Sequence, residues 1–187
     1  GAYDYVGLDL QGKTLGIMGL GRIGKTLAKR AKAFDMKIIY YNRKQISKAN
    51  EKKLGVKYTT FNKLITQSDI ISIHVPHTNE TNQMFNMKIF KKMKKTSFLI
   101  NTSRGKVVNE KDLAIALKQK IIQGAGLDVF ETEPISKKHP FLKLENIVLA
   151  PHVGSSTKET RTKMAEITIK NLILGIKGKK PIYSIGY

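Results

Sequence analysis

Thr14–Gly24 reads TLGIMGLGRIG, a short apolar run that breaks into a glycine-rich turn. Gly19 permits a tight turn out of a strand. Gly21, with no Cβ, lets backbone lie against a ligand. Gly24 lets the following helix pack close to the strand. The next stretch, Arg22–Phe34, has helical apolar spacing through Ile23, Leu27, Ala28, Ala31 and Phe34. Lys37–Tyr41 then reads as a second strand. A glycine turn alone is common. In a strand–turn–helix–strand setting it predicts a phosphate cradle, with the first N–H groups and dipole of the helix facing a dinucleotide's pyrophosphate.

The same alternation continues along the chain. Val56–Tyr58 reads as a short strand and Phe61–Gln67 as a helix. Asp69–Val75 reads as a strand buried on both faces and ended by Pro76. Asn86–Lys94 reads as a helix, Ser97–Asn101 as a strand and Glu110–Lys120 as a helix with Leu113, Ala116 and Leu117 inward. Gly124–Asp128 and Ile147–Leu149 read as strands, and Thr157–Leu174 as a long helix. Alternating strands and helices predict an α/β fold, a doubly wound parallel sheet of Rossmann type with right-handed crossovers. Glu131–Glu145, with Pro134 and Pro140, is the longest expected loop. Without repeats or low-complexity linkers, residues 1–187 read as one dinucleotide-binding domain. Residues 1–13 form a lead-in anchored by Leu8 and Leu10, and 171–187 form a tail.

Composition narrows the function. A chain of 187 residues can bury a sizeable core. It has no cysteine, which removes disulfides, thiolate nucleophiles and thiolate metal sites and suits the cytoplasm. No apolar run reaches the ~20 residues that span a bilayer. The 34 basic against 14 acidic residues give a charge of +20, which raises nucleic-acid binding as a competing reading. The lysines are spread along the chain without interleaved aromatics. A solvated, lysine-rich surface therefore accounts for them better.

In a doubly wound sheet, ligands sit beyond the carboxyl ends of the strands. The residues just after each strand are the candidates. They are the glycine turn with Arg22 and Ile23, then Asn42, Arg43 and Lys44, then His74, Val75, Pro76 and His77 with Thr81. Thr102, Ser103, Arg104 and Gly105 follow, then Asp128 with Glu133 in the next loop, and last Pro151, His152 and Gly154. An isolated loop Arg is ordinarily solvated and an isolated His ordinarily structural. Their collection at one rim is what sets these apart. His74 also follows a strand and is the rival to His152, but a buried neutral histidine bonded to backbone explains it better. Glu131 is a rival to Glu133, Asp128 could merely cap a loop, and His77 and His139 read as exposed loop residues. No metal site is expected.

NTSRG (Asn101–Gly105), GAGLDVFETEP (Gly124–Pro134) and LAPHVGSST (Leu149–Thr157) follow GLGRIG in this order. Together they closely resemble the coenzyme-binding domain of the D-isomer-specific 2-hydroxyacid dehydrogenases, and most of all glyoxylate/hydroxypyruvate reductases. The resemblance covers nearly the whole chain. It implies an NAD(P)-dependent oxidoreductase acting on D-2-hydroxy acids or reducing 2-oxo acids. Arg104 would bind the substrate's carbonyl and carboxylate. His152 would donate the proton, Glu133 would hydrogen-bond its imidazole, and Asp128 would contact the nicotinamide side. These residue types suit the chemistry. An alkoxide forming beside the cofactor needs a donor titrating near neutrality, and a planar cation suits a carboxylate.

NAD-selective sites place Asp or Glu at the end of the second strand to bind the ribose 2′-OH. Here Asn42 stands 18 positions beyond Gly24, followed by Arg43 and Lys44. That favours NADP(H), with NAD(H) as the alternative. Family members carry a second domain built mainly before the glycine motif, which is expected to be largely absent here. The fragment would then bind cofactor but turn over poorly. The resemblance also implies a homodimer in the intact enzyme, a small-molecule partner and no membrane. A non-catalytic dinucleotide-sensing module and a 3-phosphoglycerate dehydrogenase of the same family stand as alternatives.

Overall fold

A computed structural model describes residues 7–183. Seven strands, β1 (Thr14–Met18), β2 (Lys37–Tyr41), β3 (Lys57–Tyr58), β4 (Ile70–Ile73), β5 (Phe98–Asn101), β6 (Gly124–Leu127) and β7 (Ile147–Leu149), form one sheet in the order β3-β2-β1-β4-β5-β6-β7. Every pairing is parallel. The helices are α1 (Arg22–Lys32), α2 (Lys48–Leu54), α3 (Phe61–Gln67), α4 (Met87–Phe90), α5 (Glu110–Lys118) and α6 (Lys158–Ile176). The strand order reverses between β1 and β4, and the expected doubly wound architecture is present.

Two apolar layers flank the sheet. Leu15 and Ile17 join Ala28, Ala31 and Tyr40 on one face, while Met18, Ile71, Leu99, Leu113 and Phe141 pack in the larger cluster. Successive residues of β1 thus serve opposite faces, which is why its sequence is an unbroken apolar run. The chain divides into two compact units, Gly1–Pro151 and His152–Tyr187. Within the second unit, Thr157 caps α6 by accepting from the Thr160 N–H, and Asn171 holds Ile182 and Tyr183 through their backbone.

Several local expectations change. In α1 the buried stripe is Gly24, Ala28 and Ala31, small residues that let the helix lie close to the sheet. Ile23 and Phe34 are 67% and 58% exposed, so neither is a core residue. Leu8 and Leu10 are both exposed and do not anchor the lead-in. The helix expected over Asn86–Lys94 is the single turn α4, because the chain bends to seat Met93 in the core and to send Lys94 to Asp69. Sequence periodicity missed α2, a polar helix (KANEKKL) made legible only by its ends. Ser47 caps its start and Gly55, in the left-handed region, closes it. The lead-in and tail expected at 1–13 and 171–187 lie partly outside the described residues.

Candidate active site

The carboxyl ends of β1, β2 and β4 open into a cleft of about 610 Å³, walled by the glycine turn, by Asn42–Lys44 and by Val75, Pro76 and Thr81. Gly19 has φ +97, and a Cβ there would collide with the His74 backbone. A Cβ on Gly24 would run into the Gly19 carbonyl. By contrast, a Cβ on Gly21 would meet nothing within 4 Å. Two glycines thus close the turn against protein, and the third leaves bare backbone at the cleft. Among the described residues no side chain caps α1 at Gly21. This is a cradle with room for phosphates, and it fits a dinucleotide.

The loops around the cleft are built from their own hydrogen bonds. Asn42 Oδ1 accepts from the Leu20 N–H at 2.7 Å, so its oxygen holds the glycine turn. Tyr40 and Glu51 are buried beneath the Arg43–Lys44 loop. The Tyr40 hydroxyl donates to Glu51 Oε1 at 2.9 Å and accepts from the Ile46 N–H at 3.1 Å. Burial pushes the Tyr40 hydroxyl up to about 12, while the Gln45 amide and then the Lys48 ammonium hold Glu51 below the ordinary carboxylate range. On the facing wall the Thr81 hydroxyl donates to the Pro76 carbonyl at 2.7 Å and accepts from the Thr78 N–H, closing its own loop.

His74 ends β4 with Nε2 at 2.9 Å from Ser72 Oγ, a side-chain partner rather than the expected backbone one. Burial holds its imidazole below the usual value, which makes it a poor acid at neutral pH. His77 is exposed as expected. His139 is not. Its side chain is only 16% exposed and its Nε2 lies 3.1 Å from Glu110 Oε2.

After β5, buried Asn101 shapes the turn that presents Arg104. Its Oδ1 accepts from the Ser103 N–H and hydroxyl, and its Nδ2 donates to the Arg104 carbonyl. Thr102 and Arg104 are exposed. Gly105 packs so tightly on the backbone of Phe130 and Glu131 that a Cβ would overlap it. The loop carrying Arg104 therefore lies against the segment carrying Glu133. Asp128 is buried at the end of β6, with its N–H donating to the Asn101 carbonyl. Glu133 Oε1 accepts from the Phe130 N–H at 2.9 Å. Its rival Glu131 is committed elsewhere, accepting from the Glu110 N–H at the start of α5. Sequence reading missed Asn101 and Glu110. Their signal was polarity at positions that pattern places in the core.

His152 and Gly154 open the second unit. His152 has φ +55, a left-handed backbone that few non-glycine residues adopt. Among the described residues, no cluster of His, Asp and Glu is arranged to hold a metal ion, and no helix is long and apolar enough to cross a membrane.

Residues 2–154 match the family described as D-isomer specific 2-hydroxyacid dehydrogenase, NAD binding domain. A glyoxylate reductase of Thermococcus litoralis is 54% identical over 177 residues, covering 95% of this chain and 53% of that protein. One from Korarchaeum cryptofilum is 52% identical, covering 94% of this chain and 53% of that protein. Among solved structures, a glyoxylate reductase from Paecilomyes thermophila is 38% identical with a TM-score of 0.86, covering 94% of this chain and 53% of the other. The chain spans about half the length of these relatives.

Proposed function

The chain belongs to the D-isomer-specific 2-hydroxyacid dehydrogenase family as its NAD-binding domain, and from that premise we propose that it serves a reductase of small 2-oxo acids, glyoxylate or hydroxypyruvate foremost. Two observations carry this: the Arg104 loop packs through Gly105 on the Phe130–Glu131 backbone that leads to Glu133, and the glycine cleft suits a nicotinamide dinucleotide. A nicotinamide dinucleotide held at the glycine turn would supply a hydride to the carbonyl carbon. Arg104 grips the substrate's carboxylate and carbonyl through its planar guanidinium. His152 donates the proton that the carbonyl oxygen takes up, and Glu133 orients the imidazole. The left-handed backbone at His152 supports an assigned role, since strain of this kind persists where the surroundings enforce one orientation. Asp128 serves the nicotinamide end. In the reverse direction His152 is the base.

We further assign a preference for NADP(H) over NAD(H). No carboxylate ends β2 to repel a 2′-phosphate, the Asn42 oxygen is committed to the glycine turn, and Arg43 and Lys44 line the cleft. A cytoplasmic homodimer completes the reading, on the family resemblance. NADPH oxidation in the presence of glyoxylate tests it. Arg104→Ala should cost about 100-fold or more in kcat/KM, on the order of 3 kcal/mol. Arg43→Asp should raise the KM for NADPH and move selectivity toward NADH. Wild-type selectivity for NADH would overturn the cofactor assignment, and full activity in Arg104→Ala the substrate assignment.

A further inference from the structure

The loop that carries Glu133 is tied at both ends to one buried carboxylate. Glu110, the first residue of α5, is only 8% exposed. Its Oε1 accepts from the Glu131 N–H at 2.8 Å, and the return bond runs from the Glu110 N–H to Glu131 Oε1 at 3.0 Å. Its Oε2 lies 3.1 Å from His139 Nε2. His139 Nδ1 accepts from the Phe141 N–H, so in the neutral ring the proton sits on Nε2 and points at Glu110. One side chain thus fastens Glu131, where the loop begins, and His139, where it ends. Between them lies Glu133, whose Oε1 turns back onto the Phe130 N–H.

We propose that Glu110 is the positioning residue for Glu133: by holding both ends of the 131–139 loop it keeps the Glu133 carboxylate on the Phe130 amide. The consequence for turnover rests on the reading of Glu133 as the partner of His152, but the positioning itself does not. Loop ends held by a buried, doubly bonded carboxylate stay put because freeing it would leave a buried carboxylate without its partners. The glutamine variant cannot substitute fully. Its carbonyl can accept from one of the two donors, but its amide NH2 would face the other, donor against donor.

The test reads the Phe130 amide proton by NMR in the 187-residue chain. Glu133→Ala defines its position without the carboxylate. Glu110→Ala should move that resonance to the Glu133→Ala position although Glu133 is intact. Glu110→Gln should move it part of the way, and it carries the test if the alanine variant does not fold. Asp69→Asn, which breaks a partly buried ion pair at the opposite rim of the sheet, should leave the resonance in place and so separates positioning from general loss of stability. A Phe130 amide that stays at its wild-type position in both Glu110 variants, or that does not respond to Glu133→Ala, overturns the proposal. In a glyoxylate assay, Glu110→Ala should lower kcat toward the Glu133→Ala value while the KM for NADPH stays within about twofold. If Glu133→Ala itself leaves kcat unchanged, the assignment of Glu133 fails and the positioning result stands apart from it.

Discussion

At the scale of single residues, His152 separates two effects that substitutions usually confound. Its φ of +55 is costly for most side chains but tolerable for asparagine. His152→Asn should therefore keep the thermal midpoint near wild type while kcat falls about 10²–10⁴-fold, the usual range for loss of a general acid. His152→Val should lose the same activity and also about 1–3 kcal/mol of stability, because a branched side chain cannot sit in that region without strain. Equal activity in His152→Asn and wild type would remove His152 from the chemistry. The motif PHVG made this histidine a candidate. Its backbone conformation could not be read from the motif, because φ is set by the chain on both sides. The other histidines were decided by surroundings. Burial pushes the imidazole of His74, the rival, below its usual value, and His139, read as an exposed loop residue, is enclosed by Glu110 and Phe141.

At the scale of elements, β4 is locked to its neighbours through Asp69. Its Oδ2 accepts from the Thr14 N–H at the start of β1, and its Oδ1 pairs with Lys94, ahead of β5, at 2.8 Å. Burial pushes this carboxyl up, but the Lys94 ammonium and the Thr14 N–H outweigh it and hold it below the ordinary value. A carboxylate with a lowered folded pKa stabilises above its unfolded pKa of about 3.9, and that contribution is lost as pH falls through the folded value. Asp69→Asn should accordingly be less stable than wild type in urea at pH 7, with the gap closing below about pH 4. A gap that is the same at pH 3 and pH 7 would show that charge at Asp69 contributes nothing. Strands were the most legible elements, since a strand buried on both faces must be apolar throughout. Helix α2, which depends on its caps, was not legible, and α4 was read too long because the side-chain excursions that end it have no period.

At the scale of the whole molecule, the chain pairs a cleft at the glycine turn with about half the length of its relatives. Calorimetric titration of the 187-residue chain with NADPH should show binding. On the proposed function, turnover of glyoxylate by these 187 residues alone should lie at least about 100-fold below that of a full-length relative, because they span about half of such a protein and orientation and water exclusion draw on the whole of it. Relative-like turnover by this chain would contradict that split, and an empty titration would contradict the cleft. The charge of +20 needs no separate site in this reading. Arg43 and Lys44 line the cleft, and the rest follow the spread of lysines along the chain.

The sequence by itself determined the α/β alternation, the parallel sheet, the glycine turn and the family, because each is written in local spacing or in an ordered set of short motifs. The tertiary structure alone decided which residues hold the site together. Asn101 beneath Arg104, Glu110 beneath the Glu133 loop and Asn42 on the glycine turn act across 3 to 29 positions of sequence. A hydrogen bond depends on where two groups lie in space, and no period in the chain encodes which buried polar side chain will meet which orphaned backbone amide.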